Sequence, residues 1–114
     1  MAHVLIVAPS GELRRSLQFV LEAEGHLATT RDGFEDPLGL PDADCTVLDH
    51  HAANGHLQAA TDFVQHHGPV ILLSNAPAHP LAAHCFRTVT KPFLGPFLSQ
   101  ALSQAIRARK LEAK

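Results

Sequence analysis

Asp49 closes a short apolar run, Cys45-Thr46-Val47-Leu48, and Ser74 closes another, Val70-Ile71-Leu72-Leu73. Lys91 follows a third, weaker run from Phe86 to Val89. A carboxylate, a hydroxyl and an ammonium complement one another if the fold brings them together. Asp49 would act as nucleophile, Ser74 would donate a hydrogen bond and Lys91 would supply countercharge, a set able to hold a phosphoryl group. Each residue also has an ordinary structural reading. Asp49 can be a strand-end residue paired with Lys91, and Ser74 can be a loop hydroxyl bonded to nearby backbone. Because burying a lone ammonium is costly, Lys91 is expected against Asp49 whether or not phosphate is ever transferred.

The chain carries nine histidines, and His50, His51 and His56 stand beside or near Asp49. Imidazole suits zinc, copper or nickel better than magnesium. The spacing matches no closed structural zinc pattern, and His66 and His67 read as solvated residues in the last turn of a helix, so no metal is assigned from sequence. No serine, histidine and carboxylate set has the context of a hydrolase, and no glycine-rich phosphate loop is present. Independent enzymatic activity is not expected.

The elements that must position these groups follow from periodicity. His3 to Val7 reads as a first strand, and its continuous apolar run suits a strand covered on both faces of a parallel sheet. Ser10 can cap a helix with Leu13, Leu17, Val20 and Leu21 at helical spacing and Gly25 as its stop. His26 to Thr30 reads as a second strand. The segment from Asp32 to Pro41, interrupted by Pro37, Gly39 and Pro41, makes a poor second helix. Strand three ends at Asp49. A polar loop from His50 to Asn54 follows, then a helix with Leu57, Ala60, Phe63 and Val64 on its inner face and Gly68 at its end. The strand Val70 to Leu73 leads to a segment holding Pro77 and Pro80, where a fourth helix has room for a turn or two. A fifth strand spans Phe86 to Val89. Pro96 opens a last helix that buries Leu98, Ala101, Leu102, Ala105 and Ile106. Strands alternating with helices imply right-handed crossovers and a three-layer α/β sandwich around a parallel sheet.

Composition limits the function classes. At 114 residues the chain has room for one domain, residues 1–114, and 46% hydrophobic against 18% charged residues suits a folded globular protein. A net charge of −2 gives no general attraction to nucleic acid, and the basic residues Arg107, Arg109, Lys110 and Lys114 sit where they complement a helix dipole. Two cysteines, Cys45 and Cys85, are too few for a disulfide scaffold and are expected as reduced thiols. No signal peptide or membrane span is visible, so the expected compartment is the cytoplasm.

A family resemblance runs through nearly the whole chain. His3 to Val7, Gly11 to Leu17, Leu21 to His26, Asp44 to Asp49, Pro69 to Ser74 and Val89-Thr90-Lys91-Pro92-Phe93 resemble successive segments of response-regulator receiver domains, the CheY-like superfamily. The resemblance implies a flavodoxin-like (βα)5 fold with a five-stranded parallel sheet in the order 2-1-3-4-5. It also implies an aspartate phosphorylated by a histidine kinase or phosphotransferase. On this likeness Asp49 is the phospho-acceptor, Ser74 the switch hydroxyl, Lys91 the family lysine and Pro92 the candidate for the cis proline beside it.

The departures bear on mechanism. Ala8 and Pro9 stand where the family places adjacent acidic residues, and Thr88 stands where it places a switching aromatic. The loop after Asp49 is about two residues shorter than the family pattern and lacks its proline, which shifts the metal-binding backbone carbonyl, nominally to His51. Magnesium demands near-octahedral oxygen ligands and should bind weakly or not at all, so no cofactor is expected. The expectation is a stand-alone receiver-type signalling domain of a two-component or phosphorelay system, with weak or absent phosphorylation at Asp49. Its expected partners are a histidine kinase, a phosphotransferase or a downstream signalling protein, and a homodimer stays open. The alternative is a pseudo-receiver that works only as a protein interaction module.

Overall fold

The computed structural model describes residues 2–33, 43–67, 69–75, 79–90 and 96–112. Strand β1 (His3–Val7) is buried on both faces because its side chains alternate between two cores. Val4 and Ile6 point to one face, Leu5 and Val7 to the other. The same alternation repeats in β3 (Cys45–Asp49) and β4 (Val70–Leu73). An apolar run with no polar face can be stable only where helices cover both sides of a sheet. With β2 (Leu27–Arg31) and β5 (Arg87–Val89) the strands form one parallel sheet in the order β2-β1-β3-β4-β5, the order implied by the resemblance.

On one face α1 (Gly11–Ala23) buries Leu17 and Leu21, and α3 (Pro96–Glu112) buries Leu98, Ala101, Leu102 and Ala105. The α3 face is the one read from sequence, with Ile106 packed at its margin. The opposite face is covered by α2 (Leu57–His66) through Ala60, Phe63 and Val64, and by a short 3-10 turn, Pro80–His84, through Leu81. That turn occupies the place of the short fourth helix. The segment expected as an irregular second helix falls mostly on residues 34–42, outside the described residues, as does the Gly68 stop.

Local signals account for the α1 boundaries. Ser10 Oγ accepts the Leu13 backbone N–H at 3.2 Å, satisfying a donor that the first turn leaves without a helical acceptor. At the other end Gly25 adopts φ +91°, the His26 N–H reaches Leu21 O at 3.1 Å and the Gly25 N–H reaches Glu22 O at 3.0 Å. This pair of bonds is a Schellman cap, and its left-handed residue favours glycine. It also corrects the second strand, which starts at Leu27 and not at His26, because the His26 N–H is committed to closing the helix.

Four further expectations are corrected. His50 to Ala53 is a 3-10 turn whose Ala52 and Ala53 are buried in the core, not a polar loop. Leu57 is 46% exposed because it lies at the first residue of α2, before the helix has turned its apolar face onto the sheet. His67 is half-buried, its ring stacked on Phe63 at 4.1 Å, so it packs where solvation was expected. The fifth strand begins at Arg87, since the Phe86 N–H donates to Val70 O before strand pairing starts.

Candidate functional site

In a parallel sheet of this order the chain reverses direction of growth between β1 and β3, and ligands gather beyond the carboxyl ends of those strands. Asp49, the last residue of β3, stands there and is 3% exposed. Its backbone is still extended (φ −77°, ψ 130°), and its carboxylate caps the following 3-10 turn by accepting the His51 N–H at 3.4 Å, the long end of a hydrogen bond. Register places its neighbours. Val7 pairs with Leu48, so Ala8 comes next to Asp49, and Asp49 itself pairs with Leu73, so Ser74 follows one step beyond. Ser74 is 1% exposed and its backbone N–H donates to Val89 O at 3.1 Å. Two of the three residues singled out for phosphoryl chemistry thus emerge side by side. Lys91 and Pro92 lie outside the described residues, so the expected approach of Lys91 to Asp49 does too.

The β1 exit carries no carboxylate. Ala8 is fully buried and Pro9 is exposed, and Arg14 folds back from α1 to donate to both of their carbonyls, at 2.6 Å and 3.0 Å. A guanidinium therefore lies over the loop where the resemblance leads one to look for two negative charges. The surroundings of Asp49 do not fit magnesium. That ion needs several hard oxygens in near-octahedral array, whereas among the described residues the side chains at these strand exits are one carboxylate, one hydroxyl, a methyl group, a proline ring and two imidazoles.

Those imidazoles are close. The Nδ1 of His51 lies 3.3 Å from Asp49 Oδ1, and the His50 and His51 rings are 4.0 Å apart. His79, at the start of the Pro80–His84 turn, sets its ring edge-on to His50 at 5.6 Å while its own Nδ1 accepts the Leu81 N–H at 3.2 Å. His56 is exposed and is not among the residues gathered at Asp49. Arg14 and His79 were not visible as site residues in the sequence. The one available signal for Arg14 was a long basic side chain one turn into a helix that follows a loop with no side-chain donors of its own.

Thr88 sits mid-strand in β5, opposite Leu72, and lines a groove of about 420 Å³ with Phe97, Gln100 and Gln104 of α3. The thiols take no part in the site. Burial pushes both Cys45 and Cys85 up to about 12, so they stay protonated near neutrality, and neither forms a disulfide. Among the described residues no helix is long and apolar enough to cross a membrane.

A parallel five-stranded sheet in this order, with a buried aspartate at the end of its third strand and a hydroxyl just beyond its fourth, defines the class by architecture: the chain has the fold of CheY-like receiver domains. No family model matches it. Over 109 residues it is 29% identical to the transcriptional regulator protein FixT of Rhizobium meliloti (strain 1021), covering 94% of this chain and 95% of that protein. Among solved structures it is similar to full-length FixJ from B. japonicum, with a TM-score of 0.75 and 25% identity over 98% of this chain, which spans only 61% of that one. A response regulator receiver domain protein from Clostridium thermocellum superposes with a TM-score of 0.76 at 20% identity, over 97% of this chain and 98% of that one. At that identity the second structure speaks for the fold alone.

Proposed function

We infer that this chain is a degenerate receiver that signals by docking on a histidine kinase or downstream signalling protein in the cytoplasm, acting by binding and not by catalysis, with little or no dependence on phosphorylation of Asp49. The observation that carries this reading is the β1 exit. The backbone register sets Ala8 beside Asp49, and Arg14 occupies the Ala8 and Pro9 carbonyls, so among the described residues the β1 exit offers Asp49 no second carboxylate with which to share a magnesium ion. Without a divalent charge, transfer of a phosphoryl dianion onto a buried carboxylate loses its main electrostatic support. The readout is altered as well. Thr88 has no ring to swing, and the Pro80–His84 turn offers five residues where a movable helix would be needed.

A second reading keeps phosphorylation, because Asp49 and Ser74 emerge buried and adjacent at neighbouring strand ends. One pair of measurements separates the two. Incubation with magnesium and acetyl phosphate, followed by intact-mass determination, should leave the chain unmodified. Titration calorimetry against the cognate kinase should give similar affinities for the native chain and Asp49→Asn. A phosphoryl adduct together with a loss of about tenfold or more in the variant, roughly 1.4 kcal/mol, would establish the second reading instead.

A further inference from the structure

We propose that Asp49, His50 and His51 form a binding site for a divalent transition ion of the zinc class. One ligand atom from each of the three residues lies within 4.8 Å of the others. The separation of Asp49 Oδ1 and His51 Nδ1, 3.3 Å, matches the edge of a coordination polyhedron, since two bonds of about 2.1 Å at tetrahedral or octahedral angles put their donors roughly 3.0 to 3.4 Å apart. His50 completes the set from the adjacent position, its ring 4.0 Å from that of His51.

The framework that holds these donors is built before any ion arrives. Asp49 is the end of a central strand and is almost wholly buried. The two histidines ride on a 3-10 turn pinned to the core by Ala52 and Ala53. The tight winding of that turn is what lets consecutive residues converge on one carboxylate. His51, with a side chain 53% exposed, is free to rotate the last few tenths of an ångström inward and leaves an entry path from solvent. His79 walls the site behind His50. It is not a fourth ligand in this arrangement, because accepting the Leu81 N–H through Nδ1 keeps its ring proton on the nitrogen that would have to bind the metal.

Donor chemistry selects the ion. Two imidazoles and one carboxylate favour zinc, nickel, cobalt or copper over magnesium or calcium, and leave coordination positions for water or a partner side chain. Binding would occupy an Asp49 oxygen, so the loaded site would shield the carboxylate from any phosphodonor. This inference shares Asp49 with the docking reading but does not depend on it. It is measured on the chain alone, whereas docking is measured in chelator-treated buffer with the partner present.

The test is calorimetric titration of zinc sulfate into the untagged full chain, paired with the visible absorption of the cobalt-loaded form. One equivalent should bind, with magnesium giving no heat under the same conditions. Asp49→Asn and His51→Ala should each weaken zinc at least tenfold and alter the cobalt spectrum, while His66→Ala, at an exposed histidine far along α2, should leave both unchanged. Far-ultraviolet circular dichroism confirms that each variant is folded, and His51→Gln serves as the milder replacement should His51→Ala unfold. Absence of stoichiometric binding, or binding that survives both site variants, would overturn the proposal and mark any zinc uptake as adventitious capture by surface histidines.

Discussion

Arg14 Nη1 lies 2.6 Å from the carbonyl oxygen of Ala8, so a cation from α1 clamps the loop that leaves the central strand. The same nitrogen reaches Pro9 O at 3.0 Å. Arg14→Ala should therefore destabilise the fold by about 1 kcal/mol, the lower range for charged hydrogen bonds because the side chain is only half-buried. Arg14→Lys should fall between native and alanine, since the shorter lysine stem keeps a cation but carries it less far toward the two carbonyls that Arg14 Nη1 reaches. Urea titration with an unchanged slope checks both, and equal midpoints for all three proteins would remove the clamp from the account.

Restoring carboxylates at the β1 exit gives an opposite kind of test. Ala8→Asp combined with Pro9→Asp sets two acidic groups beside Asp49, one of them at a fully buried position. In metal-free buffer the double variant should lose roughly 1 to 3 kcal/mol to desolvation and like-charge repulsion. Magnesium should recover part of that loss by mass action, whereas the native chain should show no magnesium-dependent shift in thermal midpoint.

The α1 cap is separable from the site. Ser10→Ala removes the acceptor of the Leu13 N–H and should cost about 1 kcal/mol, while Ser10→Gly should cost only a few tenths. Thermal unfolding of the two variants ranks them directly.

Leu81 is fully buried on the α2 face of the sheet, although its element is only a 3-10 turn. Leu81→Ala should cost about 2 to 4 kcal/mol through lost burial and the cavity left behind. By contrast Leu57→Ala, at a residue 46% exposed, should stay within about 0.5 kcal/mol. A small effect at Leu81 in chemical denaturation would mean that this turn is not part of the cooperative core.

The thiols set an alkaline limit. Burial is the largest cause of the shift at both cysteines and raises each from 9.0 to about 12 in the folded chain. Below about pH 9 the thiols are protonated in both states and stability does not depend on them. As pH rises further the unfolded chain ionises first, so stability falls between about 9 and 12. The slope per thiol cannot exceed about 1.4 kcal/mol per pH unit and should be shallower for the less buried Cys85. Denaturant midpoints of the native chain and Cys45→Ala across this range check the sign, the variant losing less stability with pH than the native chain.

Much of the architecture could be read along the chain because it depends on local periodicity. The unbroken apolar runs at Val4 to Val7 and Val70 to Leu73 announce strands covered on both faces, and Ser10 and Gly25 mark the ends of α1 through chemistry confined to one turn. The class of domain and the place of Asp49 and Ser74 at adjacent strand exits follow from that pattern once the strand order is known. The sequence could also say that Ala8 and Pro9 bring no carboxylate. It could not say what replaces one. That Arg14 turns back over the β1 exit, that Ala52 and Ala53 sink a turn that looked polar, and that His51 and not His56 meets Asp49 are decided by tertiary geometry. Side chains remote or differently oriented along the chain meet only after the sheet sets its register and the helices pack on it. The winding of a 3-10 turn, which brings His50 and His51 to one carboxylate, is in turn stabilised by the core beneath it.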